Sequence, residues 1–173
     1  MLNGELVTLR AIEPADHPKL ASYLNDVEVE LLGGGDPPTP RSLASVSAML
    51  ERQADDSGAV NFAITVGDEL IGQCGMFGQD HIAQTAEIGI VIGERAYWGR
   101  GYGRDAVRLL VDYGFRMRNL HKLWLTVHAD NARAIRAYES VGFTEEGRQR
   151  AQVWSAGSYV DLVYMGLIRR RKP

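Results

Sequence analysis

Thr85-Ala86-Glu87-Ile88-Gly89-Ile90-Val91-Ile92, followed by Gly93-Glu94-Arg95-Ala96-Tyr97-Trp98-Gly99-Arg100-Gly101-Tyr102-Gly103-Arg104, reads as a strand that runs into a glycine-rich turn and then a helix. After Glu87 the run is nearly continuous in Ile and Val, the pattern of a central strand buried on both faces. Beyond the turn, Val107, Leu110, Val111 and Gly114 recur at helical spacing with Arg108, Asp112 and Arg116 opposite, so residues 104–118 form an amphipathic helix. Glycines at alternate positions, Gly99, Gly101 and Gly103, allow a sharp turn and the close approach of another group. They lie just before a helix N-terminus, whose free N–H groups and positive dipole end attract anions. Arg100 and Arg104 add cations suited to phosphate. Together these are the parts of a pyrophosphate cradle. A Walker loop is excluded, because no Gly-x-x-x-x-Gly-Lys-Ser/Thr string is present. A dinucleotide fingerprint fails as well, because the third glycine falls one residue early and Arg104 takes its place. On the glycines alone, a tight turn without a ligand is the plainer alternative.

Outward from this stretch, Leu6-Val7-Thr8-Leu9-Arg10 alternates as a strand, and Glu13-Pro14-Ala15-Asp16 opens a helix with Leu20, Tyr23 and Leu24 as its stripe. Gly33 to Pro40 is a breaker-rich loop, and Ser42 to Gln53 is a second helix. Asn61–Val66 and Glu69–Phe77 read as strands joined by a two-residue turn at Gly67-Asp68. Lys122–Val127 is a strand, and Ala132–Val141 is a helix with Gly142 as its left-handed cap. Strands from Phe143 onward and over Ser158–Leu167 close the chain. The order β-α-α-β-β-β-α-β-α-β-β gives an α/β fold with one mixed sheet, in one domain over residues 1–173. The passage from Thr85 to Val127 predicts two parallel strands joined by a right-handed crossover.

Composition narrows the function. The chain has 173 residues, enough for a core without staples, and its 45% hydrophobic and 24% charged residues are ordinary for a globular domain. A net charge of −3 argues against nucleic acid as a partner. The one cysteine, Cys74, excludes an internal disulfide and reads as a small buried hydrophobe. His17, His81, His121 and His128 lack metal-ligand spacing, so no metal is expected. No apolar run is long enough to span a membrane, and residues 1–20 carry no secretory pattern. The expectation is a cytoplasmic enzyme or binding module.

Three blocks carry a family resemblance. Glu87 to Ile92, then Trp98-Gly99-Arg100-Gly101-Tyr102-Gly103, then Asn131-Ala132-Arg133-Ala134-Ile135-Arg136-Ala137-Tyr138-Glu139-Ser140-Val141-Gly142-Phe143, in this order and spacing, resemble the GNAT superfamily of acyl-CoA N-acyltransferases. The likeness is to its RimJ/RimL-like branch of ribosomal-protein N-terminal and spermidine acetyltransferases, and it covers nearly the whole chain. Trp98 departs from the family's usual Gln or Arg at the first position of the phosphate loop, while Gly101 and Gly103 are kept. The resemblance implies acetyl-CoA as cosubstrate. It implies contact with that cosubstrate through Ile90, Val91, Ile92, Trp98, Gly99, Arg100, Gly101, Tyr102, Gly103, Arg104, Asn131, Arg133 and Tyr138. It also implies that the Ile-rich strand splays from its parallel neighbour so that the pantetheine arm can pair with it.

Acetyl transfer to an amine makes three demands. A lysine-like ammonium, with a pKa near ~10.4, must lose a proton before it attacks. Donors must meet the oxyanion. The leaving thiolate needs a proton or a dipole. Glu87, on the strand face shared with Gly89 and Val91, is the candidate base, directly or through water. Backbone N–H groups near Ile90 to Ile92 are the candidate donors at the oxyanion. Tyr138, which meets the family pattern Asn-x-x-Ala-x-x-x-Tyr with Asn131 and Ala134, is the candidate proton donor to sulfur. The acceptor is a small-molecule amine or a protein N-terminus, with Glu28, Glu30 and Asp36 as acids that could draw a cation. A homodimer is compatible with the reading. The competing function is a non-catalytic CoA-binding module that acts through a protein partner, against which the presence of both Tyr138 and Glu87 weighs.

Overall fold

The computed structural model describes residues 1–33, 38–56 and 58–170. Its strands are β1 (Leu2–Asn3), β2 (Thr8–Arg10), β3 (Val60–Val66), β4 (Glu69–Asp80), β5 (Thr85–Ile92), β6 (Lys122–His128), β7 (Thr144–Ser155) and β8 (Ser158–Ile168). Its helices are α1 (His17–Leu24), α2 (Val27–Gly33), α3 (Leu43–Asp55), α4 (Tyr102–Arg116) and α5 (Ala132–Val141). The strands form one mixed sheet in the order β1-β2-β3-β4-β5-β6-β8-β7. This is the expected α/β fold with two further elements. β1 has only two residues, too few to show alternation. α2 is disguised, because Val27-Glu28-Val29-Glu30 alternates like a strand. It is helical because the Asp26 carboxylate accepts from the amides of Glu28 and Val29 at 3.0 and 3.3 Å, capping its first turn. Arg95 then ties Asp26 and Glu28 to the loop after β5, at 2.7 and 3.0 Å. The centre of the Gly33–Pro40 loop, with Asp36, lies outside the described residues.

Every pairing is antiparallel except β5 with β6, which is parallel. That ladder is short: Thr85, Ala86 and Glu87 pair with Lys122, Leu123 and Trp124, and then the strands part. β5 stays with β4 out to Ile92↔Gly72, and β6 stays with β8 out to His128↔Leu162. A wedge therefore opens in the middle of the sheet, with its vertex at Glu87 and Trp124.

Each face has its own core. On one, Ile88, Leu123, Leu125, Val127 and Met165 pack with Ala106, Val107 and Leu110 of α4 and Tyr138 of α5. On the other, Leu20, Val29, Val46, Leu50 and Ala63 pack under α1, α2 and α3, with Val91 of β5 against them. Each fully buried leucine contributes about 1.5–3 kcal/mol. The first core spans the wedge, joining Ile88 of β5 to Leu123, Leu125 and Val127 of β6. Among the described residues, no helix is long and apolar enough to cross a membrane, and no group of three or more His, Cys, Asp or Glu could hold a metal ion.

Candidate active site

The wedge opens into a cleft of about 580 Å³. One wall is the end of β5 (Ile90, Val91, Ile92), and the other is Thr126 and Val127 of β6 with α5 behind them. The floor is the glycine-rich turn. Gly99 and Gly101 have φ of +71° and +92°, left-handed values that suit glycine. Gly101 is the N-cap of α4 and supplies no side-chain cap. The first intrahelical bond shown here runs from the Asp105 amide to the Gly101 carbonyl at 3.0 Å, so the amides of the turn before it remain for a ligand. A Cβ on Gly103, which faces the cleft, would meet only the Ile92 Cγ1, at 3.6 Å. The space above that amide is therefore room for a ligand, not protein packing. Arg100, Arg104, Arg133 and Arg136 line the same cleft, and among the described residues none of them pairs with a carboxylate. A left-handed turn, free amides and unpaired guanidinium groups fit the phosphates of coenzyme A.

Trp98, the departure from the family pattern, anchors this loop. Its indole N–H donates to the Ile92 carbonyl at 2.7 Å, and the Arg133 guanidinium lies 4.2 Å from its ring centroid. Asn131 joins α5 to α2. Its side-chain oxygen accepts from the Ala134 amide at 3.1 Å, capping α5, while its amide donates to the Leu32 carbonyl at 2.9 Å, in the last turn of α2. Tyr138 is buried, and its ring packs edge-on against Phe143 with centroids 5.9 Å apart. Its hydroxyl makes no hydrogen bond among the described residues and borders the cleft. Burial pushes the phenol well above its ordinary pKa, so it stays protonated and available as a donor.

Glu87 and Tyr102 do not line the cleft. Tyr102 packs edge-on against Tyr97, with centroids 4.9 Å apart, and Arg100 lies over it. Glu87 stands at the vertex, half-buried, on the sheet face opposite α4 and α5. It makes no hydrogen bond or ion pair among the described residues, and burial raises its pKa above the usual carboxylate range. The cleft thus gathers twelve of the sequence-predicted residues: Ile90, Val91, Ile92, Trp98, Gly99, Arg100, Gly101, Gly103, Arg104, Asn131, Arg133 and Tyr138. It adds Arg136, Thr126, Val29 and Leu32, which sequence reasoning missed. Arg136 had a signal, since it shares the exposed side of α5 with Arg133 at i, i+3 spacing. Glu28 is spent on Arg95, while Glu30 is half-buried with a raised pKa.

Residues 7–144 match the acetyltransferase (GNAT) domain. The chain belongs to the GNAT acetyltransferase family. It is an acetyl-CoA-dependent N-acetyltransferase. The acetyltransferase is 34% identical over 172 residues to the uncharacterized N-acetyltransferase p20 of Bacillus licheniformis, a match covering 98% of this chain and 96% of that one. It is 26% identical to the putative ribosomal N-acetyltransferase YdaF of Bacillus subtilis, covering 96% and 93% of the two chains. A crystal structure of spermidine N-acetyltransferase from Vibrio cholerae in complex with CoA and spermine superposes with a TM-score of 0.87 at 27% identity, covering 94% of this chain and 95% of that one.

Proposed function

We propose that this acetyltransferase works on small-molecule amines by direct transfer in a ternary complex, with Tyr138 serving the sulfur and Glu87 the amine. The observation that carries the reading is the wedge. It is the one break in the sheet ladder between β5 and β6, with the Tyr138 hydroxyl on one side of the sheet and the Glu87 carboxylate at its vertex on the other. A pantetheine arm laid along Ile90–Ile92 fills the missing ladder, and the N–H groups turned into the wedge are its donors. The acceptor then comes from the Glu87 face.

Glu87 takes a proton from the ammonium, directly or through water. The freed nitrogen attacks the thioester carbonyl, the C–S bond breaks, and the departing sulfur is met by the Tyr138 hydroxyl. Because burial raises the phenol's pKa far above that of an ordinary thiol, near ~8.5, full transfer from Tyr138 is uphill. Tyr138 acts first as a hydrogen-bond donor to the developing thiolate. The proton shed by the attacking nitrogen completes the balance, giving the amide, the free thiol and one proton released to solvent. The Vibrio cholerae neighbour with CoA and spermine supports a small amine as the acceptor class.

The test is an amine panel with acetyl-CoA, read by free thiol release, containing alkylamines, spermidine, aminoglycosides, amino acids and N-terminal peptides. Amine-dependent thiol release with at least one small amine is expected. If acetyl-CoA raises the melting temperature but no amine releases thiol, the chain binds CoA without catalysis and the reading is overturned.

A further inference from the structure

The Glu87 carboxylate is half-buried on a sheet face, without a hydrogen bond or ion pair among the described residues, and its cross-strand neighbours are aromatic. Its Cα partner on β4 is Phe77, and its Cα partner on β6 is Trp124, so the three side chains share one face. The Phe77 ring leans along β5: its Cε1 and Cζ lie 3.1 Å from where a Cβ on Gly89 would stand. Gly89 is therefore the notch in which this ring rests beside Glu87. On the far side, the Trp124 ring stacks on Tyr164, with centroids 6.4 Å apart and planes inclined by 18°. Phe77 is 38% exposed, although such rings usually seek cover. The corner abuts the cleft. Thr126, two residues along β6 on the same face as Trp124, lines it, as does Val91 on the face of Glu87.

A carboxylate flanked on its neighbouring strands by aromatic side chains is the chemistry that selects an alkylammonium: charge pairing with the acid, and cation–π attraction worth roughly 0.5–2 kcal/mol per favourable ring. The number of positive charges the site accepts follows from its other acid. On this face Glu146 lies over Gly166, the Cα partner of Trp124, but its carboxylate is held by Lys122 at 2.6 Å. Of the two acids on the strands of this corner, Glu87 and Glu146, Glu87 is thus the one without an ion pair, and the half-buried acid of α2, Glu30, already feels the positive charge of Arg41. We infer that the acceptor site is the corner formed by Glu87, Phe77, Trp124 and Tyr164, and that it takes a monocationic primary amine on an apolar stem in preference to a polycation. This rests on the amine-acetyltransferase reading above and names its substrate class.

The test compares kcat/KM for hexylamine and phenethylamine with that for spermidine and for an N-terminal tripeptide, in the wild type and in Phe77→Leu, Phe77→Tyr and Trp124→Leu. Phe77 is exposed, so its variants should fold, and a melting curve with acetyl-CoA checks this for each protein. The monoamines should exceed spermidine and the tripeptide by at least about tenfold. Phe77→Leu, which keeps the apolar bulk but loses the ring face, should raise the monoamine KM about 3- to 30-fold, the fold-change of one cation–π contact. The KM for acetyl-CoA should not move, and Phe77→Tyr should restore the wild-type value. A preference for spermidine or the tripeptide, or a monoamine KM unmoved in Phe77→Leu and Trp124→Leu alike, overturns the inference and leaves the amine-acetyltransferase reading standing. Absence of turnover with every amine overturns that reading itself.

Discussion

Tyr138 and Glu87 both have pKa values raised by burial, with opposite consequences for the reaction. In the proposed mechanism Tyr138 works protonated, so its shift widens the pH range over which it can donate. As the proposed base Glu87 works ionised, so its shift narrows the range at the acid end: activity should rise as pH climbs through its raised pKa. Replacing Tyr138 with Phe removes only the hydroxyl and should slow single-turnover acetyl transfer by roughly 10²-fold, with acetyl-CoA binding retained. An unchanged single-turnover rate would take Tyr138 out of the mechanism. In Glu87→Gln the acid limb of kcat against pH should disappear along with most of the rate. The stability sign is separate. A carboxyl whose folded pKa lies above its unfolded value contributes stability at low pH and loses it as pH rises through the folded pKa. The wild type should therefore lose stability relative to Glu87→Gln as pH rises past that point, measured by urea midpoints at two pH values. A slower enzyme that is no less stable at neutral pH separates a functional carboxylate from a structural one.

The phosphate turn and α4 show which parts of the site are legible in sequence. The turn is local: Gly99, Gly101 and the helix that follows are adjacent in the chain, so spacing alone predicts a sharp glycine turn ahead of free amides, and the structure makes that turn with φ of +71° at Gly99 and +92° at Gly101. Strand alternation likewise puts Glu87 on the face of Val91, and the Asn131 cap of α5 lies where its residue type suits it. What stayed hidden depends on register across strands. Phe77, Trp124 and Tyr164 are far apart in sequence and come to one face around Glu87 only because β4, β5, β6 and β8 pair as they do. α2 was concealed by its alternating pattern, since what makes it helical is a cap at Asp26 and a tie to Arg95 from elsewhere in the chain. The element also yields a prediction with opposed signs. Gly103→Ala puts a methyl in the first turn of α4, where the protein itself leaves room, so stability should rise by roughly 0.5 kcal/mol. The same methyl would intrude on the proposed phosphate site, so the KM for acetyl-CoA should rise. Urea unfolding and initial-rate kinetics on one preparation test both, and a variant with unaltered KM would move the phosphates away from this turn.

At the scale of the whole molecule, the sheet is two halves joined at three residue pairs. β1 to β5 form one half and β6 to β8 the other, and past Glu87 and Trp124 only the helical layers hold them in place. Past Glu87 the edges of β5 and β6 have no ladder between them, so in the proposed complex a ligand with an amide-bearing chain completes the sheet. Binding should then stabilise the fold as well as the site. At 100 times its dissociation constant, acetyl-CoA adds ~2.7 kcal/mol, and for a chain of this size that corresponds to a melting-temperature rise on the order of 5–10 °C. NAD, whose fingerprint the glycine spacing lacks, should give no such rise. The gain should also have an address. Amide hydrogen exchange should slow at Ile88–Ile92 and at Leu125–His128, on the two edges of the wedge, and at the turn before Arg104, while the hairpin of β7 and β8 is unaffected. Protection confined to the turn would mean that the phosphates are held but the pantetheine arm is not laid along β5, and the sheet-completing role of the ligand would fall with it.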